Sequence, residues 1–140
     1  MRAALLFSLM MPLLGGCGGA ACGGALIETA PDPGGTTAAF RSIRDCGATT
    51  GYSTQVAVGR EFDGHERAAP VFIADSDHGV ADEEGGAVRV ALRWDGARRL
   101  TVFYARHARV FRAEPEAEGV TIRYVERDFG APPRRRASAR

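Results

Sequence analysis

The sequence predicts an all-β domain, an antiparallel meander forming a small sandwich or open barrel, and three observations predict it. Apolar residues along the body of the chain recur with a period of two, as strands with one buried face require. Gly, Pro and Asp clusters interrupt this alternation at short intervals, as hairpin connections do. No window of useful length carries an apolar stripe at helical spacing.

The elements follow in order. Residues 26–29 read as a short first strand, and Pro31 to Gly35 as a turn before a longer strand over 36–44. A strand over 52–59 precedes a turn at Asp63-Gly64, and Val71-Phe72-Ile73-Ala74 reads as the next strand. Gly85-Gly86 then turns the chain into the clearest alternation, over 87–94. There Val88, Val90, Leu92 and Trp94 share one face and Arg89 and Arg93 the other. Asp95-Gly96-Ala97 is a hairpin signal, after which Leu100, Val102 and Tyr104 alternate with Thr101 and Phe103. Strands over 107–112 and 120–126, separated by a turn around Glu118-Gly119, complete the set.

Composition limits what such a domain can be. The chain has 140 residues, and its 18 basic residues are all Arg; Lys and Asn are absent. Their absence amid abundant Ala and Gly reads as the codon bias of a GC-rich genome. The length excludes a multi-blade propeller, and one hydrophobic core is what it supports. Setting aside Arg2 and Arg134, Arg135, Arg136 and Arg140 leaves 13 Arg against 17 acidic residues, a balance of −4. A phosphate-binding surface would be basic, so nucleic acid is not an expected partner.

The first residues carry an address. Arg2 precedes an apolar stretch over 3–14 of secretory length, too short to span a bilayer as a helix. The stretch ends in Leu14-Gly15-Gly16-Cys17, which resembles the lipobox of bacterial lipoproteins. That resemblance implies cleavage after residue 16, lipidation of Cys17 and a domain anchored in the cell envelope. Gly18 stands where an aspartate would signal inner-membrane retention, so in a two-membrane cell the expectation is the outer membrane, facing the periplasm. An ordinary cleavable signal cut near Ala20 or Ala21 remains the alternative. The expected organisation is a leader over 1–16, an anchor linker over 17–23, one β domain over 24–128 and a disordered Arg-rich tail over 129–140.

With Cys17 taken by lipid, Cys22 and Cys46 remain as an even pair in an oxidising compartment, and a disulfide between them is expected. Closing a loop of about 25 residues would remove roughly 3.5 kcal/mol of unfolded-state freedom. The alternative for Cys46 is a nucleophile, which needs a free low-pKa thiol beside a histidine.

A second resemblance rests on Arg44-Asp45-Cys46-Gly47-Ala48-Thr49-Thr50-Gly51-Tyr52-Ser53-Thr54-Gln55-Val56. This segment resembles one shared by a family of small bacterial proteins, often lipoproteins, to which no activity is attached. Asp75-Ser76-Asp77-His78-Gly79 after its strand, Trp94 at a strand end and Val120-Thr121-Ile122-Arg123-Tyr124 fit the same family. The resemblance implies fold and localisation and no chemistry.

Two loops are candidate binding sites. Gly47 and Gly51 permit left-handed backbone, and the hydroxyls of Thr49 and Thr50 can brace a tight loop. The same loop could bind a small anion or a glycan hydroxyl. Asp75, Asp77 and His78, followed by Asp82, Glu83 and Glu84, could surround a cation: Ca²⁺ through the carboxylates or a transition metal through the imidazole. The spacing matches no EF-hand, and a solvated acidic loop is the plainer reading. His65, His78 and His107 are the three histidines, and no nucleophile-elbow motif accompanies them. The sequence therefore points to a non-enzymatic, lipid-anchored binding or structural module, with a membrane as the expected partner through its lipid and an envelope protein as a candidate second one. The alternative is a metal-binding protein that uses the loop from Asp75 to Glu84.

Overall fold

The computed structural model describes residues 22–47 and 51–130. The expected leader, the lipidation residue Cys17, the loop residues Thr49 and Thr50 and the arginines from 134 onward lie outside the described residues. The strands are β1 (Gly23–Pro31), β2 (Thr37–Asp45), β3 (Ser53–Arg60), β4 (Ala69–Asp75), β5 (Glu83–Glu84), β6 (Ala87–Val88), β7 (Val90–Trp94), β8 (Arg99–Ala105), β9 (Arg109–Ala113), β10 (Glu116–Ala117) and β11 (Val120–Arg127). The expected all-β architecture is present, in its sandwich form.

One sheet has the order β1-β2-β3-β4-β9, the other β10-β11-β8-β7, and β5 and β6 pair separately. Strands β1 to β4 form a continuous antiparallel meander. The hairpin read across Asp95-Gly96-Ala97 is β7–β8, with Val90 opposite Tyr104 and Trp94 opposite Leu100. The chain then crosses to the first sheet as β9 and returns, so that β11 lies parallel to β8. The alternation over 87–94 is interrupted at Arg89. Its amide donates to the Asp82 carbonyl (2.9 Å) and its carbonyl accepts from the Ala105 amide (3.0 Å), which separates β6 from β7. Two 3₁₀ turns, Glu61–Asp63 and His65–Arg67, bracket the expected Asp63-Gly64 turn.

Between the sheets lies a core of Val56, Val58, Val71, Phe72, Val88, Leu100, Val102 and Val120, all fully buried. The Phe72 ring sits 5.4 Å from Tyr104 and 5.6 Å from Tyr124, one aromatic from the first sheet against two from the second. Tyr124 also donates its hydroxyl toward the carbonyls of Val71 (2.9 Å) and Glu114 (2.7 Å), where the chain passes between sheets. Cys22 and Cys46 form a disulfide with a Cα–Cα distance of 4.2 Å, one step beyond the Gly23–Asp45 pair of β1 and β2.

Strand direction divides the sandwich into two ends. The turns that join β1 to β2, β7 to β8 and β10 to β11 lie at one end. The other end receives Cys22 and Cys46, the segment 76–86, the turn 106–108 and the last described residues, 128–130.

Candidate functional site

The first end is closed by polar side chains that satisfy backbone. Asp32, 5% exposed, accepts from the amides of Gly34 at Oδ1 (3.0 Å) and Arg98 at Oδ2 (3.2 Å), and so joins the β1–β2 turn to the β7–β8 turn. Trp94 Nε1 donates to the Ala30 carbonyl (2.9 Å) beside it. The turns approach so closely that a Cβ on Gly34 would sit 2.4 Å from that of Ala97. This packing fills the space between the two turns; beside it lie separate clefts of about 400 Å³, bordered by Asp95, Thr101 and Arg123, and about 210 Å³, bordered by Thr36, Arg60 and Glu118.

The second end is open. A cleft of about 320 Å³ is lined by Tyr52, Asp75, Ser76, His78, Glu83 and Arg109 with Gly51, Gly79 and Gly86. A wider one, about 640 Å³, runs from the segment 79–83 to Arg106, His107 and the segment 127–130. They share Gly79 and Glu83, so they form one continuous surface.

The smaller cleft is built around Arg109. Antiparallel pairing sets Asp75, at the end of β4, opposite Arg109, at the start of β9. Arg109 donates to both carboxylate oxygens, Nε to Oδ1 (3.2 Å) and Nη2 to Oδ2 (2.6 Å), and its Nη1 lies 3.6 Å from Asp77 Oδ1. Burial pushes the Asp75 pKa up, but the hydrogen bonds from Arg109 and the Asp77 amide, with the Arg109 charge, outweigh it and leave the carboxyl below its ordinary value. The same pair raises the Arg109 pKa. The other side of Arg109 faces the Phe111 ring at 5.2 Å.

The connecting loop is held by its own side chains. Asp77, His78 and Gly79 are consecutive left-handed residues, with φ of 49°, 62° and 82°. Asp75 Oδ1 accepts from the Asp77 amide (2.9 Å), and Ser76 Oγ accepts from the Gly79 amide (3.1 Å) while donating to Glu83. Gly86 (φ 83°) lies under the Tyr52 ring, where a Cβ would meet Cδ2 at 3.2 Å. In the wider cleft the Phe129 ring lies between Arg89 (5.2 Å) and Arg127 (5.6 Å).

The predicted metal ligands are thus brought together, yet the cation beside Asp75 and Asp77 is Arg109. His78 is exposed, with Nδ1 3.4 Å from Asp77 Oδ1. Among the described residues no group of three or more His, Cys, Asp and Glu is arranged to hold a metal ion. Cys46 is bonded to Cys22, so its reading as a free nucleophile is withdrawn. His65 lies against Phe40, ring centres 6.5 Å apart, away from both clefts.

Sequence reasoning missed Arg109, Tyr52 and the Ser76–Glu83 contact. Arg109 is 34 positions from Asp75, and no local pattern announces that pairing. What this end offers chemically is an array of arginine and carboxylate groups with an aromatic face at each cleft, suited to holding a polar or charged surface. The molecule belongs to the class of disulfide-stapled β-sandwiches with one closed and one open end. Comparison of the chain with protein-family models, curated protein sequences and solved structures gave no match.

Proposed function

We propose that the protein is a lipid-anchored binding or structural module of the bacterial cell envelope, with the open end of the sandwich as its working surface. The observation that carries this reading is the contrast between the ends. At one end the Asp32 clip fills the space between the β1–β2 and β7–β8 turns and the clefts beside it are separate, whereas the other collects two joined clefts and a run of three left-handed residues. Strained backbone of this kind is concentrated at ligand-holding sites. The lipobox-like Leu14-Gly15-Gly16-Cys17 supports the anchor, since Cys17 lies five residues before Cys22 at that same end. The disulfide fits an oxidising compartment. Several acyl chains on one cysteine, at about 0.8 kcal/mol per buried methylene, would hold a domain of this size to a membrane.

The test is the intact mass of the protein extracted gently from its own membranes without reductant. The reading expects the chain from Cys17 with acyl-glycerol added and two hydrogens removed. A mass that starts near Cys22 without lipid would overturn the anchor. A discrete metal increment would restore the cation reading of Asp75 and Asp77.

A further inference from the structure

We propose that the outer face of the sheet formed by β7, β8 and β11 is a binding surface for an acidic polysaccharide, a linear sugar chain bearing carboxylates. The surface is separate from the cleft around Arg109, and the proposal does not depend on the lipid anchor.

Charge distribution is the first support. The domain is acidic overall, but its charges are unevenly divided among its faces. With Leu100, Val102, Val120 and Ile122 buried, alternation turns Arg99, Thr101 and Phe103 of β8 outward together with Thr121, Arg123 and Arg127 of β11. Arg93 of β7 lies opposite Thr101, and Glu116 of β10 opposite Thr121. With Asp95 at the end of β7, four arginines share this face with two carboxylates. Three of the four converge on Asp95. Arg93 Nε lies 2.8 Å from Oδ1, Arg123 Nη2 lies 4.0 Å from Oδ2, and Arg99 Nη2 donates to the Asp95 carbonyl (3.2 Å). The Thr101 hydroxyl donates to Asp95 and accepts from Arg123 Nε (3.4 Å), so this outward residue is fully buried beneath the cluster. One carboxylate cannot neutralise three guanidinium groups. The excess charge borders a cleft of about 400 Å³ that Arg99, Arg123, Thr101 and Thr121 line.

An alternating series of cations and rings is the second support. Arg93 and Arg127 lie over Phe103 at 5.0 and 5.6 Å, and Arg127 and Arg89 lie over Phe129 at 5.6 and 5.2 Å. A guanidinium held on a ring keeps its N–H donors in its own plane, where carboxylate oxygens and sugar hydroxyls reach them. Side chains ordered in advance lower the cost of binding. Arg99 is level with Thr121 across the parallel pair, so Arg127 lies six residues further along, about 20 Å away. A single small anion does not span that distance, whereas a chain does.

The face also selects among polyanions. Each phenylalanine ring already has two guanidinium groups over it, so a nucleic-acid base has no ring on which to stack. Strand β8 is paired on both sides, with β7 and with β11, and offers no open edge to a peptide strand. Among the described residues none of the exposed large hydrophobics lies on β7, β8, β10 or β11, so a lipid layer has nothing to take up there. A sugar chain brings the carboxylates and hydroxyls that the guanidinium donors and the Thr121 hydroxyl can meet.

The experiment titrates the full-length protein, in mild detergent, with hexagalacturonate by calorimetry. Maltohexaose, hexaglutamate and a thymidine hexanucleotide are titrated in parallel. Hexagalacturonate should bind, more weakly as salt is added, and maltohexaose should not. Arg99→Gln/Arg123→Gln should lower the affinity about tenfold, a few-fold for each exposed ion pair lost. Phe103→Leu leaves every charge in place and should lower it about fivefold, because Arg93 and Arg127 must then be ordered on binding. Arg44→Gln/Arg67→Gln removes the same charge from β2 and a 3₁₀ turn and should bind as the parent does. Urea unfolding followed by Trp94 fluorescence checks that each variant is folded. The proposal is overturned by a lack of hexagalacturonate binding, by parent-like affinity of the Arg99/Arg123 or Phe103 variant, or by an equal loss in the Arg44/Arg67 variant. Tighter binding of hexaglutamate or of the hexanucleotide would overturn it as well. None of these outcomes bears on the intact mass that judges the anchor.

Discussion

Asp32→Ala should be among the most damaging single substitutions outside the apolar core, and its cost can be worked from the closed end. The carboxylate accepts two backbone N–H groups that belong to different sheets' turns, those of Gly34 and Arg98. Hydrogen bonds to a charged group contribute about 1.5–3 kcal/mol each, and solvent near these surface turns replaces part of the loss, leaving about 2–4 kcal/mol. Against a total stability of about 5–15 kcal/mol for a domain, that is a large fraction. Asp32→Asn retains one acceptor oxygen, turns an N–H toward the other donor, and should lose about half as much. Urea unfolding followed by Trp94 fluorescence measures both; the midpoint should fall while the slope stays constant. An Ala variant within about 0.5 kcal/mol of the parent, the range of ordinary surface substitutions, would refute the idea that this clip holds the two sheets' turns together.

The remaining predictions concern the staple, the bridge between sheets and the ion pair. Cys22→Ser/Cys46→Ser should lose up to about 3.5 kcal/mol in the same urea assay, and unchanged midpoints with and without reductant would contradict a disulfide role in stability. Tyr124→Phe removes the hydroxyl shared by the carbonyls of Val71 and Glu114, of which Val71 keeps the Glu114 amide (2.8 Å), and should cost about 1–2 kcal/mol. Burial holds the Tyr124 phenol protonated well above its ordinary pKa of 10.0 and also raises that of Tyr104, so an alkaline absorbance titration of the folded parent should show late phenols of which the variant lacks the last. Because the fold lowers the Asp75 pKa below 3.8, Asp75 contributes stability above its unfolded pKa and loses it as pH falls through the folded value. Asp75→Asn should therefore flatten the acid limb of a melting-temperature profile, and an unchanged limb would count against the ion pair.

Much of the fold was legible because alternation records burial. Val88, Val90, Leu100, Val102, Val120 and Ile122 are buried as the pattern requires, and the β7–β8 hairpin follows from Asp95-Gly96 between two such runs. Alternation does not record which strand lies beside which, so the parallel pairing of β8 and β11 could not be read from it. It is equally blind to a main-chain irregularity such as Arg89, whose side chain keeps the period while its backbone leaves the ladder. At the candidate site the acidic loop was legible and its cation was not, because Arg109 reaches Asp75 through the register of a strand five elements later, β9 against β4. The pairing of Cys22 with Cys46 was legible by counting once the lipobox resemblance had set Cys17 aside.

The loop after β4 explains why an acidic run there does not require a ligand to be stable. Two non-glycine residues in the left-handed region, Asp77 and His78, cost about 1–2 kcal/mol each, and they persist only where neighbours determine the backbone. Here the preceding side chains do so: Asp75 holds the Asp77 amide, and Ser76 holds the Gly79 amide. Arg109 then sets the position of Asp75 from the neighbouring strand. The loop is therefore organised by the sheet and by its own side chains. Val80 is carried exposed on the outer side of this ordered backbone, its amide donating to the Asp77 carbonyl (3.4 Å).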